Sequence, residues 1–186
     1  MTDLKVDLKG AVNAVTTFLE NNKRVILIKG YDNEAKLKAV LMALNQQFSK
    51  GIIRTSSMQD IADNINLALG KKHLPSNVKS TELYKLGNMK INFNSYTTHT
   101  RNNPAGNDNT FTIFYPIQTA LDNPKRYANF LKDLGEVRSK KVILITTNEW
   151  SIKNWDIENY TDEVFFYDVQ NDNPELLRNL RRNGAI

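Results

Sequence analysis

Residues 25–37 read V-I-L-I-K-G-Y-D-N-E-A-K-L. The first four are apolar and mostly β-branched, the composition of a strand covered on both faces. Gly30 follows where the chain must turn. A helical stripe then runs through Leu37, Leu41, Leu44 and Phe48. Asp32 or Asn33 supplies the cap for that helix. Lys36 stands six positions after Gly30, the spacing of the phosphate-binding pattern G-x-x-x-x-G-K-[ST]. Ala35 replaces the second glycine of that pattern, and Leu37 replaces its hydroxyl residue.

The two replacements separate architecture from chemistry. In a working loop, backbone N–H groups and the helix dipole hold phosphate, and the lysine reaches its outer oxygens. Glycines let the backbone approach, and the hydroxyl holds Mg²⁺. Gly30 and Lys36 fit these roles; Ala35 and Leu37 do not. Asp32 and Glu34 add negative charge inside the loop. The plainer alternative is a glycine turn at Gly30 and an exposed Lys36 beside the apolar stripe.

Outward from this stretch, strand and helix signals alternate. Helices are expected over 10–21, from Asp32 or Asn33 to about Phe48, and over 61–69, the last opened by a Ser57/Asp60 capping box. Apolar strands are expected over 24–28, 52–55, 111–115, 142–145 and 164–167. Asn123-Pro124 and Asn173-Pro174 each start a helix with a cap and a proline in the first turn. Gly135 marks the end of the first of these two. Residues 152–159 suggest a short helix. Between the second and third apolar strands, Gly87-Asn88 joins two strand-like runs, a two-residue hairpin signal. Residues 97–109 are polar and rich in Asn, a surface loop. The reading is an α/β three-layer sandwich with a mostly parallel five-stranded core sheet. It treats 1–186 as one domain, with a hairpin and loop insertion at about 80–109.

Bulk properties narrow the class. The chain has 186 residues, enough for a substantial core, and no cysteine, which excludes disulfides and thiolate metal sites. Its apolar runs are too short for a membrane helix, and its first ten residues lack a signal-peptide apolar region; a cytoplasmic location is expected. Net charge is +5, which favours an anionic partner. His73 and His99 are the only histidines and have no metal-ligand spacing. Nothing in the sequence singles out a hydrolytic triad or a metal-dependent nuclease site.

The order of elements resembles the additional-strand branch of P-loop NTPases, the RecA-like and AAA+ families. In those families the Mg²⁺-directing acid ends the third core strand. Here that strand ends in Tyr115-Pro116, and Asp122 is the next carboxylate. The fourth strand ends in a polar sensor in the family, and residues 142–148, V-I-L-I-T-T-N, place Asn148 at the match. Asp168 closes the run V-F-F-Y and reads as a turn residue at the end of the last strand. The resemblance covers roughly 23–168. It implies a degenerate Walker A loop with no anchor for Mg²⁺ and little or no hydrolysis.

Two functions follow. One is a non-catalytic scaffold that binds nucleic acid, DNA included, or a protein partner, with a homo-oligomer as a further association. Its candidate contacts interleave basic and aromatic residues: Lys71, Lys72, Lys85, Lys90, Tyr96, Arg101, Arg178, Arg181 and Arg182. The alternative is a nucleotide-binding protein in which Gly30, Lys36, Asn148 and Arg54 hold the phosphates of ATP or another nucleotide. No catalytic residue, metal ligand or obligatory cofactor is assigned.

Overall fold

The protein is described from a computed structural model covering residues 4–98, 103–151 and 154–186. Seven strands form one sheet: β1 (Val25–Gly30), β2 (Lys50–Thr55), β3 (Leu83–Leu86), β4 (Met89–Ser95), β5 (Phe111–Tyr115), β6 (Lys141–Ile145) and β7 (Glu163–Tyr167). Their spatial order is β3-β4-β2-β5-β6-β1-β7. Every neighbouring pair is parallel except β3 and β4. The five expected strands are all present, with β6 between the loop-bearing β1 and β5.

The sheet exceeds the expected five strands because the hairpin joins it. β4 pairs in parallel with β2 from Lys50↔Lys90 to Thr55↔Ser95. Met89, Ile91 and Phe93 alternate along β4 and are buried on one face. That alternation requires a covered sheet face, so the hairpin extends the core rather than standing off it.

Among the described residues, five helices cover the sheet unequally: α1 (Val6–Glu20), α2 (Asn33–Gln47), α3 (Ile61–Leu69), α4 (Pro124–Glu136) and α5 (Pro174–Arg182). Side chains of α1, α2, α3 and α5 share a large core with Ile26, Ile28, Ile53, Ile113 and Ile143. On the opposite face α4 places Phe130 and Leu134 against Leu27, Phe114, Val142 and Leu144. This smaller core lies over β1, β5 and β6; among the described residues, no helix covers the same face of β2, β3 and β4.

Several boundaries differ from expectation. α1 starts at Val6 rather than Gly10 because its cap is distant: the Leu8 amide donates to Asp172 Oδ2 at 2.9 Å. Asp7 in turn accepts from the Asn171 and Asp172 amides. Ser57 and Asp60 bond to each other, Oγ to Oδ2 at 2.6 Å, so no reciprocal capping box forms at α3. α4 continues through Gly135 to Glu136. Short 3-10 turns at Glu149–Ser151 and Ile157–Tyr160 stand where one short helix was expected over 152–159, and Ile152 and Lys153 lie outside the described residues. Asn123 and Asn173 cap α4 and α5 as expected, accepting from the Arg126 and Leu176 amides. Among the described residues, no helix is long and apolar enough to cross a membrane.

Candidate functional site

The phosphate-loop spacing survives in the sequence, but the helix takes up most of it. β1 ends at Gly30 and α2 begins at Asn33, so only Tyr31 and Asp32 connect them. Asp32 adopts a left-handed conformation (φ 61°), and its carboxylate accepts from the Ala35 amide at 3.1 Å. A side chain of the protein thus takes a donor at the positive end of the helix, where anions are favoured. Gly30 has a packing role here. Its φ is 105°, and a Cβ on it would lie 2.3 Å from the Tyr167 carbonyl oxygen on β7. Only glycine allows this approach.

Lys36 is fully buried, contrary to the exposed alternative. Its Nζ donates to the Gly30 carbonyl at 2.6 Å and to Thr146 Oγ1 at 3.2 Å. Burial depresses its pKa to about 8, with nearby Glu149 and Asp32 opposing the shift. Thr146, just past β6, donates its hydroxyl to Glu149 Oε2 at 2.7 Å. The Gly30 amide donates to the same oxygen at 3.2 Å. Lys29 lies 3.6 Å from the other oxygen of Glu149. The Glu149 carboxylate therefore accepts from the turn amide, between two lysines.

Gly30 and Lys36 meet as the spacing predicts; the other two nucleotide candidates are placed differently. Asn148 approaches α2, but its contacts are to Asn33: Asn33 Nδ2 donates to its Oδ1 at 3.4 Å, and its own amide donates to Asn33 Oδ1 at 3.3 Å. Arg54 lies on the opposite side of the sheet, 5.6 Å above the Phe114 ring, and donates to the Pro104 carbonyl at 3.0 Å. Burial lowers its pKa against the pull of Asp133 and Glu136. Tyr115, the last residue of β5, is buried, and burial with Glu34 nearby pushes its hydroxyl up to about 12. Asp168 accepts from the Gln170 amide at 2.9 Å, as a turn residue does.

The basic candidates divide into two groups. Lys85 and Lys90 face each other across the hairpin, and Lys71 and Lys72 follow the end of α3; all four are exposed. Arg178, Arg181 and Arg182 are exposed on α5, the helix that follows β7, the strand at the other edge of the sheet. Tyr96 is a correction. It is only 7% exposed, packs edge-on against Phe130 and bonds the Pro116 carbonyl, so its ring is not free to stack on a base. Arg101 and His99 lie outside the described residues. Glu149 and Thr146 were missed. No local signal marks Glu149, whose partner Gly30 is 119 positions away. Thr146 could have been found as the first polar residue after an apolar strand.

No protein-family model matches the chain, and no curated protein matches it. A solved structure does: the SWI2/SNF2 ATPase core of Sulfolobus solfataricus in complex with double-stranded DNA. The TM-score is 0.51 at 12% identity, over 87% of this chain and 36% of that one. The shared architecture is an α/β sandwich built on a mostly parallel sheet. At this identity the likeness extends to the fold alone, and the chain spans about a third of that protein's length.

Proposed function

We propose that this chain is a RecA-like scaffold that does not hydrolyse nucleotide and whose partner is a nucleic acid. The observation that carries the reading is the Glu149 carboxylate held on the Gly30 amide. A phosphate at the turn would need that donor, and the protein's own anion already has it. Asp32 takes the Ala35 amide in the same way. Leu37, fully buried, and Tyr115 stand where Mg²⁺ would be anchored. Phosphoryl transfer rests on positioning and metal-assisted charge stabilisation, so turnover is expected to be lower by orders of magnitude. The charge of +5 and the exposed lysines around the hairpin support an anionic partner. The DNA held by the similar ATPase core makes nucleic acid the first choice over an acidic protein.

A nucleotide-binding reading is supported by Lys36, which keeps its ammonium at the turn. It requires Glu149 to move aside. Thermal unfolding with ATP, ADP and GTP separates the two. Binding at one hundred times Kd stabilises by about 2.7 kcal/mol, whereas the scaffold reading expects no shift. Retention on duplex and single-stranded oligonucleotides tests the partner: it must fall steeply as salt rises. Retention absent at low salt would remove the nucleic-acid reading.

A further inference from the structure

We propose that a double-stranded nucleic acid lies across the amino-terminal ends of the strands, on the sheet face that α4 leaves open, with its phosphates against Lys50, Lys85 and Lys90. This rests on the nucleic-acid reading above and gives it a surface.

Register brings these lysines together. Lys50 on β2 pairs with Lys90 on β4, and Lys90 directly opposes Lys85 on β3. Side chains at paired positions share a face, so the three form one row across three strands, about 10 Å long at the usual strand spacing. Lys50 and Lys90 line a groove of about 470 Å³ with Ile52, Leu83 and Asn92, walled by the 104–107 loop. Lys71 and Lys72 follow the end of α3 on the helix-covered side of the sheet, flanking this pole, and Lys140 immediately precedes β6 there. All six lysines are exposed, and none forms an ion pair with a described residue. Asp108 is the one carboxylate that shares a depression with Lys50 and Lys140.

Edge protection does not account for the row. A lysine on an edge strand discourages sheet-to-sheet pairing, which would explain Lys85 on β3. Lys50 and Lys90 are on interior strands. Like charges directly opposed across a ladder are destabilising, and here no acid on the opposed strands offsets them.

Charge is also distributed by pole. Open α/β sheets usually bind ligands at the carboxyl ends of their strands. Here that pole carries Asp32, Glu34, Asp60, Asp122, Glu149 and Asp168. The amino pole also carries acids, Glu20, Glu136, Asp162 and Glu163, but these precede β1, β6 and β7, while β2, β3 and β4 bear lysines and no acid; a polyanion is attracted to that half of the pole. The duplex is favoured over a single strand because single-strand binding relies on exposed aromatic rings. Phe93 and Tyr96 are buried, and Tyr84 leans on Phe93 on the helix-covered face. Phosphate contacts alone suffice for a duplex.

The test measures duplex affinity against salt for the wild type, for Lys50→Gln/Lys85→Gln/Lys90→Gln, and for Arg178→Gln/Arg181→Gln/Arg182→Gln. The two variants remove equal charge, one from β2, β4 and β3 and the other from the helix that follows β7, and far-UV dichroism checks that both fold. The expected result is that the lysine variant binds about tenfold or more weakly, with a salt slope smaller by about 2 to 3, while the arginine variant stays near wild type. Equal weakening of both variants, or none in the lysine variant, overturns this placement and leaves the nucleic-acid reading standing. A wild type that ignores duplex at low salt overturns both. Tighter binding to a single strand or to polyglutamate overturns the choice of a duplex.

Discussion

Lys36 carries the largest consequence of any single residue. Its pKa falls from 10.5 to about 8 because the ammonium is buried. Below about pH 8 the folded and unfolded chains both hold the proton, and the burial penalty is constant. Between about 8 and 10.5 the unfolded chain alone retains it, so stability rises with pH, by roughly 3 kcal/mol in total at 1.4 kcal/mol per unit. Buried Tyr96 and Tyr115 have raised pKa values and reverse the trend above about pH 10. Urea unfolding between pH 7.5 and 10 should therefore show rising stability in the wild type and a shallower rise in Lys36→Met, where Lys141, also lowered by burial, still contributes; identical slopes would contradict the buried-ammonium account. Gly30 makes a second prediction at this scale. A Cβ there collides with the Tyr167 backbone. Gly30→Ala should cost roughly 3 kcal/mol or more by equilibrium unfolding, with no phosphate ligand needed to see it. A cost under 1 kcal/mol would show that β7 yields easily.

The elements explain why some boundaries were legible and others were not. α4 and α5 begin at Asn-Pro, and both the cap and the proline are local, so sequence and structure agree. α1 is held from a distance at both ends. Asp172 receives the Leu8 amide. Lys141 donates to the carbonyls of Phe18 and Asn21 at 2.7 Å, and to that of Lys23, with its ammonium 4.5 Å from the Phe18 ring. Neither partner is visible in the helix's own sequence. Lys141→Met should remove the C-terminal clamp and cost about 2 kcal/mol or more, since buried carbonyls lose a charged donor. Hydrogen exchange should locate the loss at the end of α1 rather than across the sheet. Uniform loss of protection would mean that Lys141 supports β6 instead. The hairpin follows the same logic: Gly87-Asn88 marks its turn, but only pairing with β2 reveals that it belongs to the main sheet.

Across the whole molecule, the alternation of strands and helices was enough to read the layers, because each apolar strand signals its burial by composition. The candidate site was half legible. Gly30 and Lys36 were visible through spacing, while Glu149 and Thr146 join them only once β6 lies beside β1. Spacing could not show that only two residues connect β1 to α2 or that the Glu149 carboxylate accepts from the Gly30 amide. Side-chain direction is equally hidden in a sequence: the Tyr96 ring turns inward onto Phe130, and Arg54 lies over Phe114, away from the Gly30 turn. The resulting molecule has a mostly parallel sheet, closes the turn between β1 and α2 with its own acids, and carries a row of exposed lysines on β2, β4 and β3. Calorimetric titration with Mg²⁺-ATP, followed by assay of the same sample for released phosphate, tests this most directly. The account predicts no saturable heat at millimolar nucleotide and no phosphate above background; micromolar binding with turnover, both lost in Lys36→Ala, would contradict it.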